Sequence, residues 1–305
     1  MTELLCWIDG VVRPTESVSM SLASDASLRG ISVFEGIKAY RAADRDRYCV
    51  VSLHSHIQRL QVSCELMRLR VDGLADRVQE GISALLKADK RPEVYIRPTV
   101  YLRSGYYGTV ADADLVVLAR SAPDHRGPLR CSIATQRHVP ASAYPWGAKV
   151  GAMYAFFRLA RLEAVERGAD EAILLSTDGR VAETPGASIF VVRAKRVSTP
   201  RLEMGILPSI TRLTVIEILQ RRMNIEVIEE DLSPGDLYAA DEVFVTGTLD
   251  EVRGVLSIDG QNIGSGETPV TNTLRATYLA ACRVGDPAPP VGSAFFPGRD
   301  TRHED

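Results

Sequence analysis

The chain has 305 residues, 45% of them hydrophobic and 25% charged, with a net charge of −3 at pH 7, which are proportions typical of a globular protein large enough for two domains. The small negative balance without a basic block argues against a nucleic-acid surface, and five scattered cysteines without a CxxC pair argue against a disulfide framework or a zinc site. The N-terminus lacks a basic segment followed by an apolar run, and no run of about 18 apolar residues occurs, so we expect a cytoplasmic protein with no signal peptide and no membrane span.

The first part of the chain alternates predicted strands with two predicted helices. Residues 3–13 predict a hairpin that turns at Asp9-Gly10, and VFEGIKAYR and YCVVSLH read as strands. Apolar residues at spacings of three and four indicate an amphipathic helix over residues 54–69, followed by a helix at 74–88. VYIRPTVYL and ADLVVLAR read as further strands. His54 and His56 could face one side of a strand, but no third ligand is evident, so no metal site is predicted.

The segment SAPDHRGP is rich in proline, glycine and charge, and it is the best linker candidate. Beyond it, the pattern predicts helices at 152–167, 210–222 and 269–282 and strands at 130–137, 171–176, 188–193, 225–229, 242–246 and 252–258. This order predicts an α/β (α+β) fold of two mixed domains with the functional groups in the cleft between them. The expected divisions are a smaller domain 1–120, a linker 121–129, a larger domain 130–285 and a flexible tail 286–305.

Lys149 stands out against its surroundings. Most of the 36 basic residues are arginine, yet PWGAKVGAMY keeps a lysine among small and apolar residues, with no acidic residue within about ten positions on either side. An amine attacks an aldehyde only in its neutral form, which apolar surroundings favour, and arginine cannot replace it. The alternative is a surface lysine in a loop.

An enzyme that uses pyridoxal phosphate needs such a lysine, an acid beside the pyridine nitrogen and an anion site for the phosphate. Glu183, in GRVAETPGASIF, lies between a predicted turn and a strand. It is a candidate for the acid, and the alternative is an exposed glutamate of the turn.

The phosphate site has several candidates. In GILPSITR, Ser209, Ile210 and Thr211 would open a helix whose N–H groups favour an anion, although Ser209 is equally suited to be a plain N-cap. Thr248 follows a glycine at a strand end, where a backbone can approach a ligand closely. Arg59 supplies a full charge from its predicted helix, or is a solvated arginine.

Taken in order, these stretches resemble the class IV aminotransferase family, which is fold type IV of the pyridoxal phosphate enzymes. The resemblance covers roughly residues 5–285. It rests on GISVFEGIKAY, HIQRL, YIRP, the segment from Lys149 to Glu171, GRVAETPGASIF, GILPSITR and DEVFVTGTLDEV. VFEGIKAY and YIRP are most similar to the branched-chain aminotransferases of that family.

The resemblance implies a homodimeric enzyme that moves an amino group between an amino acid donor, of L configuration, and a 2-oxo acid acceptor by a ping-pong mechanism, with pyridoxal 5'-phosphate as cofactor. It implies that Lys149 is catalytic, that Glu183 pairs with the pyridine nitrogen and that Tyr154 lies near the phenolic oxygen. The other cofactor contacts that it implies are Arg59, Ser188, Ile210, Thr211 and Thr248, and the substrate contacts are Phe34, Tyr95, Arg97, Thr248 and Leu249.

The sequence departs from the branched-chain pattern near the expected substrate. Arg29 stands where a tyrosine usually precedes the glycine of the GxxVFEG motif, Met153 stands where asparagine is usual, and Ala187-Ser188 replaces a Glu-Asn type pair. A cation in a pocket for apolar side chains is costly unless it is paired. We therefore expect Arg29, with Arg97, to receive a polar or anionic substrate group and so to alter the pocket; the alternative is that Arg29 turns to solvent or pairs with an acid across the dimer.

Other activities could use the same residues. An aminodeoxychorismate lyase-like elimination would release pyruvate from one substrate without a 2-oxo acid acceptor, and a D-amino acid aminotransferase would differ in stereochemistry. A catalytically silent relative is a further alternative, and the intact Lys149, Glu183 and Arg59 argue against it.

Overall fold

The computed structural model describes residues 4–42, 47–103, 111–122, 127–283 and 290–298. The strands are β1 (Leu5–Ile8), β2 (Val11–Pro14), β3 (Ser32–Phe34), β4 (Ile37–Arg41), β5 (Arg47–Val50), β6 (Leu69–Arg70), β7 (Glu93–Tyr101), β8 (Ala111–Asp112), β9 (Asp114–Ser121), β10 (Leu129–Arg137), β11 (Glu171–Leu175), β12 (Ser188–Arg193), β13 (Arg196–Pro200), β14 (Val227–Glu230), β15 (Glu242–Gly247), β16 (Glu251–Ile258), β17 (Gln261–Asn262) and β18 (Ala294–Pro297). The helices are α1 (Asp25–Arg29), α2 (Leu53–Leu66), α3 (Leu74–Ala88), α4 (Met153–Glu166), α5 (Ile210–Arg221), α6 (Pro234–Tyr238) and α7 (Pro269–Arg283).

The chain divides into two compact units. Unit 1 comprises Met1–Pro123, Ala148–Ala152 and Ala280–Asp305, and unit 2 comprises Asp124–Gly147 and Met153–Leu279. The larger domain expected from the sequence includes the short segment around Lys149, whereas backbone pairing joins this segment to unit 1 through a bridge between Val33 and Val150. Residues 123–126 of the predicted linker lie outside the described residues.

The sheet of unit 1 has the strand order β18-β5-β4-β7-β9-β1-β2, and β3 also pairs with β7. Its strand pairings are antiparallel. The predicted N-terminal hairpin forms with Leu5 opposite Pro14. Asp9 and Gly10 turn it with φ values of 51° and 80°, the left-handed pair that a two-residue hairpin turn requires.

Helix α3 spans the residues predicted for it and packs against β1 and β9. Val78, Ile82 and Leu85 form its buried face. At Gly81 the helix approaches the sheet so closely that a Cβ atom would lie 2.9 Å from a Val117 methyl group. The missing side chain of this glycine is therefore what lets α3 lie on the sheet at this distance.

Two predicted strands end earlier than expected. VFEGIKAYR divides into β3 and β4 at Glu35 and Gly36, although the Glu35 N–H donates to the Pro98 carbonyl and both strands pair with β7 in one continuous register. YCVVSLH ends as a strand at Val50, and α2 begins at Leu53, so His54 and His56 lie on a helix rather than on a strand. No group of potential metal ligands occurs in the ranges that the structure describes.

Part of the expected tail is a strand. Ala294–Pro297 pairs antiparallel with β5, which places Phe295 opposite Cys49. The Arg47 guanidinium lies 5.2 Å from the centroid of the Phe295 ring. Four residues are too few for a periodic pattern that would predict a strand. The edge of β5 with which they pair forms only when the sheet folds. Residues 284–289 and 299–305 of the predicted tail lie outside the described residues.

The sheet of unit 2 has the order β11-β10-β16-β15-β12-β13-β14 and is mixed. β10 pairs in parallel with β11 and β16, and β13 with β14, whereas β12, β15 and β16 pair antiparallel. Its centre is apolar, with the rings of Phe190 and Phe244 stacked at 4.9 Å. α4 packs against β10 and β11, and α5 packs against β15. The prediction of a mixed α/β fold is confirmed.

Several short elements are not predicted. β13 ends in a proline and carries a polar alternation, and α6 has only five residues, begun by Ser233, whose N–H donates to the Asp236 carboxylate. Their position depends on neighbouring strands rather than on their own pattern. In the described parts of the chain, no helix has the length and apolar character needed to cross a bilayer.

Helix α7 begins at a buried carboxylate. Glu242, at the start of β15, is 3% exposed and accepts hydrogen bonds from the Val270 N–H at 2.9 Å, the Thr271 N–H at 2.9 Å and the Thr271 hydroxyl at 2.7 Å. The carboxylate thus serves the N–H groups that the first turn of a helix leaves unpaired, and its charge complements the helix dipole.

We expect Glu242→Gln to lower the free energy of unfolding by about 1 to 3 kcal/mol, because an amide group would face backbone donors with a donor of its own. Urea denaturation at neutral pH measures the change. Glu217→Gln is the matched control, since Glu217 forms a partly exposed ion pair with Arg221 whose loss costs less than about 1 kcal/mol. Equal losses in the two variants would contradict this role of Glu242.

Candidate active site

The residues predicted for the site fall in both units. Unit 1 contains Arg29, Phe34, Arg59, Tyr95, Arg97 and Lys149, and unit 2 contains Tyr154, Glu183, Ser188, Ile210, Thr211, Thr248 and Leu249. Each set is described within its own unit.

The backbone of Lys149 is fixed by hydrogen bonds to two elements of unit 1. Its carbonyl accepts from the Phe34 N–H at 3.0 Å, and the next residue but one, Gly151, donates to the Ser32 carbonyl at 2.9 Å. Its own N–H donates to the Ser63 hydroxyl of α2 at 3.0 Å. Because these hydrogen bonds restrict the backbone, the Lys149 side chain starts from a defined position.

Two cationic groups lie against one aromatic ring. The Lys149 Nζ is 5.0 Å from the centroid of the Phe34 ring, and the Arg97 guanidinium carbon is 3.6 Å from it. Arg97 forms no hydrogen bond and no ion pair with a carboxylate in the part of the chain that the structure describes. The ring face stabilises the Arg97 cation, and the shared position of the two groups is suited to an anionic ligand.

Tyr95 and Arg97 lie on β7 with Ile96 between them, so both side chains leave the same face of the strand. Tyr95 is buried, and its hydroxyl would be 2.8 Å from a Cβ atom added at Gly36. The glycine of VFEG is therefore required for the close fit of the turn over this tyrosine.

A buried ion cluster lies next to these residues, and the sequence did not predict it. Glu35 is fully buried, and Arg59 binds both of its oxygens, through Nε at 2.7 Å and Nη2 at 2.8 Å. His56 contributes Nδ1 at 2.7 Å. The available signal was the single acidic residue inside the apolar stretch VFEGI, which could not show its partners.

The cluster has defined protonation states. Burial alone would raise the pKa of Glu35, but the charge and hydrogen bonds of Arg59, together with His56, lower it to about 2. Burial lowers the pKa of His56, and this outweighs the bond to Glu35, which raises it. The cluster is therefore a carboxylate, a guanidinium and a neutral imidazole, and it holds Arg59 in one orientation.

Arg29 does not carry an unpaired charge. It ends α1 and forms an ion pair with Asp25, one turn earlier on the same helix. Asp25 is buried, whereas the Arg29 side chain is 38% exposed. The sequence left open a substrate group, solvent or an acid across the dimer as the partner of Arg29, whereas the structure shows an acid of the same helix. Gly30 ends the helix in a left-handed conformation with φ 70°.

In unit 2, Glu183 is nearly buried and its Oε1 atom accepts two hydrogen bonds. The His138 Nε2 is 3.1 Å away, and the Leu207 N–H is 3.3 Å away. The other ring nitrogen of His138 is 2.9 Å from the Val139 carbonyl. Burial would lower the pKa of His138, but the bond and charge of Glu183 and the Val139 carbonyl raise it. Glu183 is therefore not an exposed turn residue.

The predicted anion site at α5 has the expected beginning. The Ser209 hydroxyl accepts from the Arg212 N–H at 3.3 Å, and Ile210 and Thr211 are buried first-turn residues. At the end of β15, a Cβ atom on Gly247 would lie 2.9 Å from the Gly186 carbonyl, so the chain before Thr248 approaches the GRVAETPGASIF segment closely. Leu249 follows in the turn between β15 and β16.

Two buried hydroxyl groups face each other across β12 and β15. Ser188 and Thr246 are register partners, and neither hydroxyl has a hydrogen-bond partner among the residues described. Buried hydroxyls normally form hydrogen bonds, so these two are candidates for binding a polar ligand. Tyr154, half-buried at the start of α4, contacts the Phe157 ring edge-on at 5.5 Å between centroids.

Comparison with known proteins gives a consistent result. The family model described as amino-transferase class IV matches residues 32–258. A probable branched-chain-amino-acid aminotransferase of Aquifex aeolicus is 32% identical over 287 residues, which are 91% of this chain and 92% of that protein.

Solved structures agree with these matches. The branched-chain aminotransferase of the archaeon Thermoproteus uzoniensis, solved with norvaline, superimposes with a TM-score of 0.85 at 31% identity, covering 92% of this chain and 95% of that one. The branched-chain amino acid aminotransferase of Thermobaculum terrenum, solved in its PLP-form, superimposes with a TM-score of 0.85 at 29% identity, covering 92% and 94%.

The pKa of Glu35 has a consequence for stability. The folded-state pKa lies near 2, below the ordinary value of 4.5. Ionised Glu35 therefore stabilises the fold fully at pH values above its ordinary pKa, and this contribution is lost as the pH falls through the folded pKa.

We expect Glu35→Gln to lower the free energy of unfolding by about 3 to 5 kcal/mol at neutral pH, since it leaves Arg59 buried without its carboxylate.

Denaturant unfolding at a series of pH values measures this difference. The gap between wild type and Glu35→Gln should be constant above the ordinary glutamate pKa and narrow below it. Glu65→Gln, at an exposed position of α2, is the control and should cost little at any pH. A gap that stays the same at acid pH would show that the charge of Glu35 is not what stabilises the cluster.

Proposed function

Since the chain belongs to the class IV aminotransferase family, whose members use pyridoxal 5'-phosphate, we propose that it moves an amino group from an L-amino acid to a 2-oxo acid in a ping-pong sequence. We further propose that it acts as a homodimer in the cytoplasm. The observation that carries the proposal is the position of Lys149, whose backbone is tied to β3 and α2 and whose amine shares the Phe34 ring with Arg97. The similarity of this chain to branched-chain aminotransferases over most of its length supports the same function.

The residues present suit this cofactor. The Ser188 hydroxyl is buried and lacks a partner in the described ranges, as expected of a group that awaits a polar ligand. Arg59 of unit 1 and Ile210, Thr211 and Thr248 of unit 2 would hold the phosphate, in keeping with the affinity of a guanidinium and of helix N-termini for that group. Glu183 would accept the pyridine N–H, and Tyr154 would bond near the phenolic oxygen.

When bound, the cofactor supplies an electron sink for the bond that breaks at the substrate Cα. Lys149 has two tasks in this scheme. Its amine would hold the cofactor at its aldehyde group. Once freed, Nζ would serve as the base that moves the proton of the substrate Cα, which requires a base held within hydrogen-bond reach. The hydrogen bonds to Phe34 and Ser63 restrict the backbone from which that amine moves.

For the substrate, Arg97 is the better receptor of an anionic group. It lies against Phe34 without a carboxylate partner in the residues described, whereas the charge of Arg29 is neutralised by Asp25. A planar guanidinium can bind a carboxylate through two parallel hydrogen bonds. Tyr95 and Phe34 would line the side-chain pocket, and the backbone around Thr248 and Leu249 would contact the substrate carboxylate.

We expect Lys149→Ala to lower kcat by about a thousandfold or more, because both the covalent link and the base are lost. Borohydride reduction of the wild type with pyridoxal 5'-phosphate, followed by peptide mass spectrometry, should place the cofactor on Lys149. Lys87→Ala, at an exposed position of α3, should behave as wild type. Label on another lysine, or near-normal turnover by Lys149→Ala, would exclude this role.

A separate experiment tests the substrate contacts. Arg97→Leu should lower kcat/KM for glutamate about 10- to 100-fold relative to leucine, because a charged hydrogen-bonded contact is lost. Arg29→Tyr should change the same ratio less than about threefold, since its charge is already paired with Asp25. If Arg29→Tyr instead raises kcat/KM for leucine selectively, Arg29 is the residue that determines the substrate preference. Release of pyruvate without any 2-oxo acid acceptor would indicate a lyase in place of an aminotransferase.

A further inference from the structure

Both ring nitrogens of His138 face oxygen atoms. Nδ1 lies 2.9 Å from the Val139 carbonyl, and Nε2 lies 3.1 Å from Oε1 of Glu183. The ring is nearly buried, and the apolar ring of Phe157 lies 6.0 Å from it between centroids. Among the residues described, Glu183 is the one charged group that acts on it from the elements packed around it in unit 2.

The number of protons on this ring follows from its neighbours. A backbone carbonyl can only accept, so Nδ1 must carry a hydrogen. A neutral imidazole has just one N–H, which would leave Nε2 as a second acceptor facing a carboxylate oxygen. The contact is favourable only if Nε2 is also protonated or if Glu183 carries the proton instead.

The surroundings of Glu183 decide between these two arrangements. Its Oε1 already receives the Leu207 N–H at 3.3 Å, and two converging donors favour the ionised oxygen. A charged imidazole then gives each donor an acceptor and pairs the two charges, which a buried site requires. The raised pKa of His138, in which Glu183 and Val139 overcome the opposing effect of burial, agrees with the ion pair.

We propose that His138 is a doubly protonated positioning residue that holds Oε1 of Glu183 and leaves Oε2 as the acceptor for the protonated pyridine nitrogen of the cofactor. In the ranges that the structure describes, Oε2 accepts no hydrogen bond, because both donors converge on Oε1. The role of Oε2 toward the pyridine nitrogen rests on the proposed function, whereas the double protonation of His138 does not.

The charge matters because a nearly buried carboxylate without a cation tends to take up a proton. A protonated Glu183 would donate to an uncharged pyridine nitrogen instead of accepting from a charged one, and the electron sink would weaken. His138 therefore acts on the cofactor through Glu183, by supplying the paired cation and by fixing the rotation of its carboxyl group together with Leu207.

Nitrogen NMR of protein labelled with 15N at histidine reads the charge without any cofactor. In the apoprotein at about pH 8, where an ordinary histidine is neutral, both ring nitrogens of His138 should show the protonated signature. The signal is assigned by its loss in His138→Gln. In Glu183→Gln, the same ring should revert to a single protonated nitrogen, because its counter-charge is gone. A singly protonated His138 in the wild type would overturn the proposal.

The holoenzyme tests the effect on the cofactor, with 15N placed in the pyridine ring of pyridoxal 5'-phosphate. The pyridine nitrogen should be protonated in the wild type and in His54→Gln, the control at an exposed histidine of α2, and should lose that signature in His138→Gln. An unchanged signal in His138→Gln would overturn the positioning role. Failure of the wild type to take up the cofactor would refute the proposed function and this role with it, while the apoprotein spectrum still reports whether His138 is charged.

Discussion

A buried carboxylate must find hydrogen-bond donors for both of its oxygens, and this requirement at Glu35 organises unit 1. The residue lies at the break between β3 and β4, where its N–H donates to a carbonyl of β7. Helix α2 contributes Arg59 and His56, which bind the carboxylate. The same helix reaches Lys149 through Ser63, and the neighbouring strand residue Phe34 holds the lysine carbonyl. One ion cluster therefore fixes helix, strand and lysine together.

The two buried histidines show how the pKa of one residue type is shifted in opposite directions. His56 shares Glu35 with Arg59, whose charge already balances the carboxylate, so burial dominates and the pKa of His56 falls. His138 shares Glu183 with a backbone N–H only, and its second nitrogen faces a carbonyl, so its pKa rises. The difference lies in the partners of each carboxylate.

Much of the fold could be predicted from local pattern. Helix α3 and strand β12 match their predicted bounds, since their apolar spacing is long and regular. The family resemblance and the mixed fold drawn from short motifs are confirmed by the match over residues 32–258 and by the superposition on the Thermoproteus uzoniensis enzyme. The strand β18 could not be predicted, because an edge pairing depends on neighbours distant in sequence.

The sequence by itself determined the family, the fold class and the residue types available for the chemistry, because motifs and periodicity are local properties of the chain. Only the tertiary structure decided which of those residues carry a free or a balanced charge. It paired Arg29 with Asp25, placed Arg97 on Phe34 and gave Arg59 and Glu183 their partners Glu35 and His138. Charge, burial and protonation depend on distances between residues far apart in the chain, and those distances exist only after folding.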